Sequence, residues 1–298
     1  MAFIAPQAAP VVASAESSAP ARPSRSARAA VILSENIPEY AQIAAEIVRR
    51  DANHVTVYSL SDSDNATRLV TEIERANPDR IIAVGLQAAI FARRIPSKAM
   101  VFCQVYNYQD HDLVSTMSKG VQLLPPFDLQ LRAWRGLARN LRRIGVVTGP
   151  GHAELVAEMR RAATTFNADL TVRTVLSDQE ALLAFKELVP NIEGLWLLPD
   201  NRVLSPGVLR ELMSYSARHG TQVAAFSDKM LKSGALISLT SVPQDVVDRV
   251  LARFDDVDRD GRLRGPAMLG LTAVHTTVND EVATLLGLKL PEDFAQSR

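Results

Sequence analysis

Short apolar or β-branched runs alternate with amphipathic stretches along this chain, and the alternation happens twice. Residues 29–33, 54–58, 81–84 and 100–105 are strand-like. Between them, Tyr40, Ile43, Ala44, Ile47 and Val48 recur at helical spacing, and 66–76 and 86–93 repeat that period. A short extended piece at 120–126 closes on Pro125-Pro126. The pattern then restarts, with strands at 144–148, 170–175, 195–198, 222–226 and 235–239. Helices are expected at 127–139, 152–166, 178–189 and 206–219, with a short one around Met230-Leu231. Apolar strands linked by helices bury both sheet faces and run parallel, because a parallel neighbour needs a crossover. The chain is therefore expected to be α/β, with two Rossmann-like lobes built on parallel sheets. Beyond 239 the spacing predicts an amphipathic helix at 243–254, a charged loop at 255–265, an extended piece at 267–273 and a helix at 279–286 with Asn279 as its N-cap.

In open parallel sheets, ligands bind beyond the carboxyl ends of the strands. The residues expected there are Ser34 and Glu35, Gly85, Leu86, Gln87 and Ala88, Tyr106 and Asn107, Thr148 and Gly149, Asp200 and Asn201, and Ser227 and Asp228. Most telling is the run Leu195-Trp196-Leu197-Leu198-Pro199-Asp200-Asn201, where a buried strand delivers polar groups to the sheet edge just before Ser205-Pro206 opens a helix. Taken one at a time, these residues also suit Asx turns and helix caps. As a set they predict one cleft between two lobes.

Lys+Arg and Asp+Glu are both 33, so no basic field draws the chain to nucleic acid or anionic lipid. The single cysteine, Cys103, lies in an apolar run without a local histidine and reads as a buried thiol. The five histidines are scattered without metal-ligand spacing, and no nucleophile elbow, phosphate loop or dinucleotide fingerprint occurs. No catalytic residue, metal or cofactor is expected. Asp256-Val257-Asp258-Arg259-Asp260-Gly261 matches the first half of a calcium loop, but Ala267 stands where that loop needs a bidentate acid. A solvated loop is the other reading.

Residues 1–27, rich in Ala, Pro and Ser, read as a disordered tail or the remnant of an export signal. Ala13-Ser14-Ala15 suits a signal peptidase, but a basic leader segment is missing and Pro6 and Pro10 interrupt the apolar part. No apolar stretch reaches the length of a membrane span.

Four segments carry a family resemblance. They are Ile82-Ala83-Val84-Gly85-Leu86-Gln87-Ala88-Ala89, Leu197-Leu198-Pro199-Asp200-Asn201-Arg202-Val203, Val223-Ala224-Ala225-Phe226-Ser227-Asp228 with Ser233-Gly234-Ala235, and the ending from Thr277-Val278-Asn279-Asp280 to Leu290-Pro291. In order and spacing, over roughly residues 28–292, the chain resembles the solute-binding proteins of ABC transporters, in the family that includes tryptophan- and tyrosine-binding lipoproteins of bacteria.

The resemblance implies a type I periplasmic-binding-protein fold, with lobes joined by three crossings near 122–127, Thr240 and 271–275. One lobe would hold 28–122 and about 241–272, the other 126–240 and about 273–298. It also implies that Asp200 meets a ligand amine and that Gly85 to Ala88 meet a carboxylate at a helix N-terminus. Leu86 stands where the family usually carries a hydroxyl, and the lipoprotein cysteine is absent. The implied role is non-catalytic. The chain would be an extracytoplasmic monomer or weak dimer that binds an amino-acid-like or aromatic acid and presents it to a membrane permease. A ligand-sensing regulatory domain of the same fold is the alternative.

Overall fold

The computed structural model describes residues 28–62, 65–258 and 260–290. The expected tail or export signal at 1–27 lies outside the described residues. Two six-stranded sheets organise the described chain. The first contains β1 (Ala29–Leu33), β2 (Val55–Ser59), β3 (Arg80–Val84), β4 (Ala99–Cys103), β5 (Ser118–Val121) and β11 (Met268–Leu269), in the order β11-β5-β4-β3-β1-β2. All its pairings are parallel. One face packs on α1 (Pro38–Arg50) and α8 (Pro243–Asp255), which bury Ile43, Ile47, Val246, Val247 and Val250. The other packs on α2 (Ala66–Ala76) and α3 (Leu86–Ala92) through Leu69, Ile73, Ala88 and Phe91.

The second sheet has the order β12-β10-β9-β8-β6-β7. Its strands are β6 (Arg143–Thr148), β7 (Asp169–Thr174), β8 (Gly194–Trp196), β9 (Gln222–Ala225), β10 (Ile237–Thr240) and β12 (His275–Val278). Helices α4 (Phe127–Leu137), α5 (Ala153–Thr165) and α9 (Asp280–Leu285) cover one face around Trp134 and Trp196. Helices α6 (Asp178–Leu188) and α7 (Pro206–Arg218) cover the other around Phe185 and Leu212. The two indoles meet edge to face at 6.2 Å, and Phe127 meets Trp196 at 5.4 Å.

Strand β12 adds an element that the apolar pattern did not reveal. It pairs antiparallel with β10. Its sequence, His-Thr-Thr-Val, lacks an apolar run because an edge strand buries less than a central one. The extended piece expected at 267–273 pairs only at Met268–Leu269. The helix expected at Met230-Leu231 is a 3-10 turn at Asp228–Ser233. Ser205 and Asn279 cap α7 and α9, accepting from the Val208 and Val282 N–H groups, whereas Ser227 makes no side-chain cap bond.

The chain passes between the sheets at 122–126, 241–242 and 270–274. Asp245 in α8 anchors the last passage. Its carboxylate accepts from the Thr272 and Ala273 N–H groups at 2.7 and 2.9 Å, and from the Thr272 hydroxyl. In the calcium-like segment, Asp258 accepts from the N–H groups of Asp260 and Arg262. Among the described residues, no group of three or more His, Cys, Asp or Glu side chains is placed to hold a metal, and no helix is long and apolar enough to cross a membrane.

Candidate ligand cleft

The carboxyl ends of the central strands in both sheets lead to the space between the lobes. Asp200, four residues past β8, is fully buried. Its Oδ2 accepts from the Gly149 N–H at 2.8 Å, at the end of β6. Arg202 donates to the same carboxylate through Nε and Nη2, both at 2.9 Å, in a bidentate fork. The buried His152 places Nε2 at 3.4 Å from Asp200 Oδ2 and 2.6 Å from Arg202 Nη2. A side chain at position 149 would not fit, because its Cβ would sit 2.8 Å from Asp200 Oδ2 and 3.0 Å from Arg202 Nη2. Burial alone would raise the Asp200 carboxyl pKa. Its contacts with His152, Arg202 and the Gly149 N–H outweigh burial and hold it well below the ordinary carboxylate range.

This cluster reaches across to the first lobe. Arg202 Nη1 donates to Asp110 in the 3-10 turn Tyr108–His111 at 3.1 Å. Asn107 donates to Asp200 and Asn201, both at 3.4 Å, and the Tyr106 ring lies 4.7 Å from that of His152. Asn107 Oδ1 is buried here without a hydrogen-bond partner among the described residues, and the buried Tyr106 hydroxyl lies beside the Thr148 hydroxyl. Burial pushes the Tyr106 phenol pKa up.

Ser34, Gly85 and Ala88 form a second group. Ser34 is buried, and its hydroxyl accepts from the Ala88 N–H at 2.9 Å, so the start of α3 is capped from within the chain. Gly85 has φ +89°, and an added Cβ would lie 2.5 Å from Ser34 Oγ and 2.8 Å from the Tyr40 ring. Gly85→Ala is expected to cost about 1–3 kcal/mol through left-handed strain and overpacking. Urea unfolding measures it, and a loss under about 0.3 kcal/mol would show that Ser34 and Tyr40 yield freely. Glu35 and Gln87 are exposed, and Leu86 is half-buried.

Two cavities open between the lobes. One, of about 480 Å³, is lined by residues that include Tyr106, Tyr108, Phe127 and His152. The other, of about 520 Å³, borders Gln104, Pro199, Phe226, Ser227, Asp228 and the second crossing. Lys229 and Glu39 pair across its rim at 2.9 Å. Gln104 sits at φ +59° at the end of β4 and donates to Ser241 Oγ at 3.3 Å, tying β4 to that crossing.

No family model matches the sequence, and no curated protein matches it. Solved structures do. An ABC domain in complex with L-Trp from Streptococcus pneumonia is 15% identical, with a TM-score of 0.60 over 91% of this chain and 97% of that one. A substrate-binding protein with adhesive properties from Clostridium difficile, in its ligand-free, open form, is 14% identical, with a TM-score of 0.63 over 90% and 97%. A transcriptional activator of the comK gene from Bacillus halodurans is 15% identical, with a TM-score of 0.52 over 87% and 95%. The chain has the type I periplasmic-binding-protein fold.

Within this fold, the expected strand-end residues other than Glu35, Leu86 and Gln87 fall in three places. Tyr106, Asn107, Thr148, Gly149, Asp200 and Asn201 converge, Ser34, Gly85 and Ala88 pack together, and Ser227 and Asp228 line the larger cavity. Arg202, His152 and Asp110 are not among the strand-end residues expected from the sequence. Arg202 gave one signal, its place two residues after Asp200, where an Asx-type turn folds it back on the carboxylate. His152 and Asp110 gave none, because only the tertiary fold brings them in.

Proposed function

We propose that this chain is the solute-binding component of an ABC-type uptake system, working outside the cytoplasm and closing its two lobes on a small molecule. The observation that carries the reading is the pair of cavities walled by both lobes at the carboxyl ends of the strands. Such concave, mostly apolar sites with a few convergent polar groups are where small ligands bind. A ligand that touches both lobes gains its full contact set only when they are closed. It therefore shifts the population toward that form, which a permease recognises. The likeness to two substrate-binding structures supports the reading. Asp200 would act within it as the fixed centre of the second lobe's rim. An amino-acid-like or aromatic solute fits the aromatic and aliphatic walls.

A thermal-shift screen against amino acids, aromatic acids and small metabolites tests this. A cognate solute at a thousandfold excess over its Kd is expected to add about 4 kcal/mol of stability. A flat response across the whole screen would sink the binding reading. A ligand-sensing regulator is the second reading, favoured by the likeness to a transcriptional activator. Ligand binding without any association with a membrane permease would select it.

A further inference from the structure

The smaller cavity has a one-sided charge pattern. Rings of Tyr106, Tyr108, Phe127 and His152 contribute to its walls, and its lining contains two carboxylates, Glu154 and Glu158 on α5. No lysine or arginine lines it among the described residues. The acids belong to one lobe and Tyr108 to the other. Burial raises the Tyr108 phenol pKa, and the negative charges of Glu154 and Glu158 add to that rise, which places both within electrostatic reach of the ring. Arg202, which touches the lining residue His152, is already shared between Asp200 and Asp110. The α5 N-terminus would favour an anion, but Glu154 in its first turn supplies that charge already. Asp200, the acid that the family resemblance assigned to a ligand amine, is occupied by the chain's own guanidinium.

We propose that the cavity between Tyr108 and α5 takes an organic cation, an amine on an apolar or aromatic body, with Glu154 and Glu158 holding the charge and the Tyr106, Tyr108 and Phe127 rings the body. Aromatic faces attract cations, the half-buried Glu158 strengthens that attraction, and the exposed Glu154 adds charge at the mouth. The proposal rests on the solute-binding reading and narrows it to ligands with net positive charge. An aromatic acid would meet repulsion from both carboxylates.

Isothermal titration of the full chain with matched amines and acids separates the possibilities. The pairs are tryptamine with indole-3-acetate and phenethylamine with phenylacetate. The amine of at least one pair is expected to bind ten times or more tighter than its acid, and Glu154→Gln with Glu158→Gln to weaken that amine about tenfold. Because both positions are at least partly solvent-accessible, the unfolding midpoint of the double variant should stay within a degree or two of the parent. An acid that binds as well as its amine, or an amine whose affinity ignores the double substitution, overturns the charge assignment and leaves the solute-binding reading standing. Failure of all four probes also overturns the assignment. If the wider metabolite screen is empty too, the binding reading falls with it.

Discussion

Asp200→Ala is expected to lose about 3–5 kcal/mol of unfolding free energy, the usual loss when one partner of a buried ion pair is removed. The carboxylate is fully buried, and its removal strands several donors together. The Gly149 N–H loses its acceptor, the Arg202 fork loses both its bonds to the acid, and Asn107 loses one of its two links to the second lobe. Arg202 keeps Asp110 and the Pro150 carbonyl, so it is not left without partners. Chemical unfolding of Asp200→Ala, Arg202→Ala and the double variant closes a cycle. Strong coupling is expected, with Arg202→Ala costing less once Asp200 is gone. Asp200→Asn adds a pH test. Because the folded carboxyl pKa is depressed, its stabilisation is present above about pH 4, the ordinary aspartate value, and is lost as pH falls below it. The Asn variant should therefore lose less stability than the parent between about pH 4 and pH 2. An Asp200→Ala protein within about 0.5 kcal/mol of the parent would mean that the ion pair contributes nothing net.

Trp196→Ala should cost a similar amount, about 3–5 kcal/mol, from the cavity left by a buried indole. Trp196 packs edge to face against Trp134 and Phe127 and is 1% exposed. Its Nε1 donates to Gln130 Oε1 at 3.1 Å, and Gln130 donates in turn to the Pro125 carbonyl at 2.7 Å in the first crossing. The substitution thus empties the second lobe's core and loosens a side chain that fixes the passage between lobes. Trp196→Phe keeps most of the ring and removes only the donor, so about 1–3 kcal/mol is expected from the unsatisfied Gln130 oxygen and the smaller volume. Far-UV circular dichroism in urea measures both. Equal losses for Ala and Phe would show that the hydrogen bond, not the indole volume, dominates.

The two-lobe architecture was legible because burial on both faces writes parallel strands as apolar runs, and these recur on either side of Pro125-Pro126. Residues 81–84 and 144–148 are of this kind. Strand β12 was not legible, since Thr276 and Thr277 at a sheet edge carry no burial signal. The cleft was legible in part. Thr148, Gly149 and Asp200 sit at strand ends that the topology must bring together. What the sequence could not disclose is which partner fills each polar group. A ligand amine and the guanidinium of Arg202 are both cationic partners for Asp200, and the turn after Asp200 brings the guanidinium in. Likewise Ser34 meets the Ala88 N–H, so the first turn of α3 is satisfied without a solute.

The two strands that finish the sheets, β11 and β12, have a consequence for synthesis on the ribosome. Both lie near the end of the described chain, as does α8, which covers one face of the first sheet. Roughly 150 residues separate β5 from its last neighbour, or roughly 7–30 s of translation at ordinary rates. During that interval the nascent first lobe has Val31, Val84 and Val101 without the valines of α8 against them, and β5 has one open edge. The second lobe waits in the same way for β12 beside β10. The first lobe's last strand, β11, emerges before β12 and α9 of the second. Both lobes therefore stay open through most of synthesis, the first until β11 and the second until β12 and α9 have emerged.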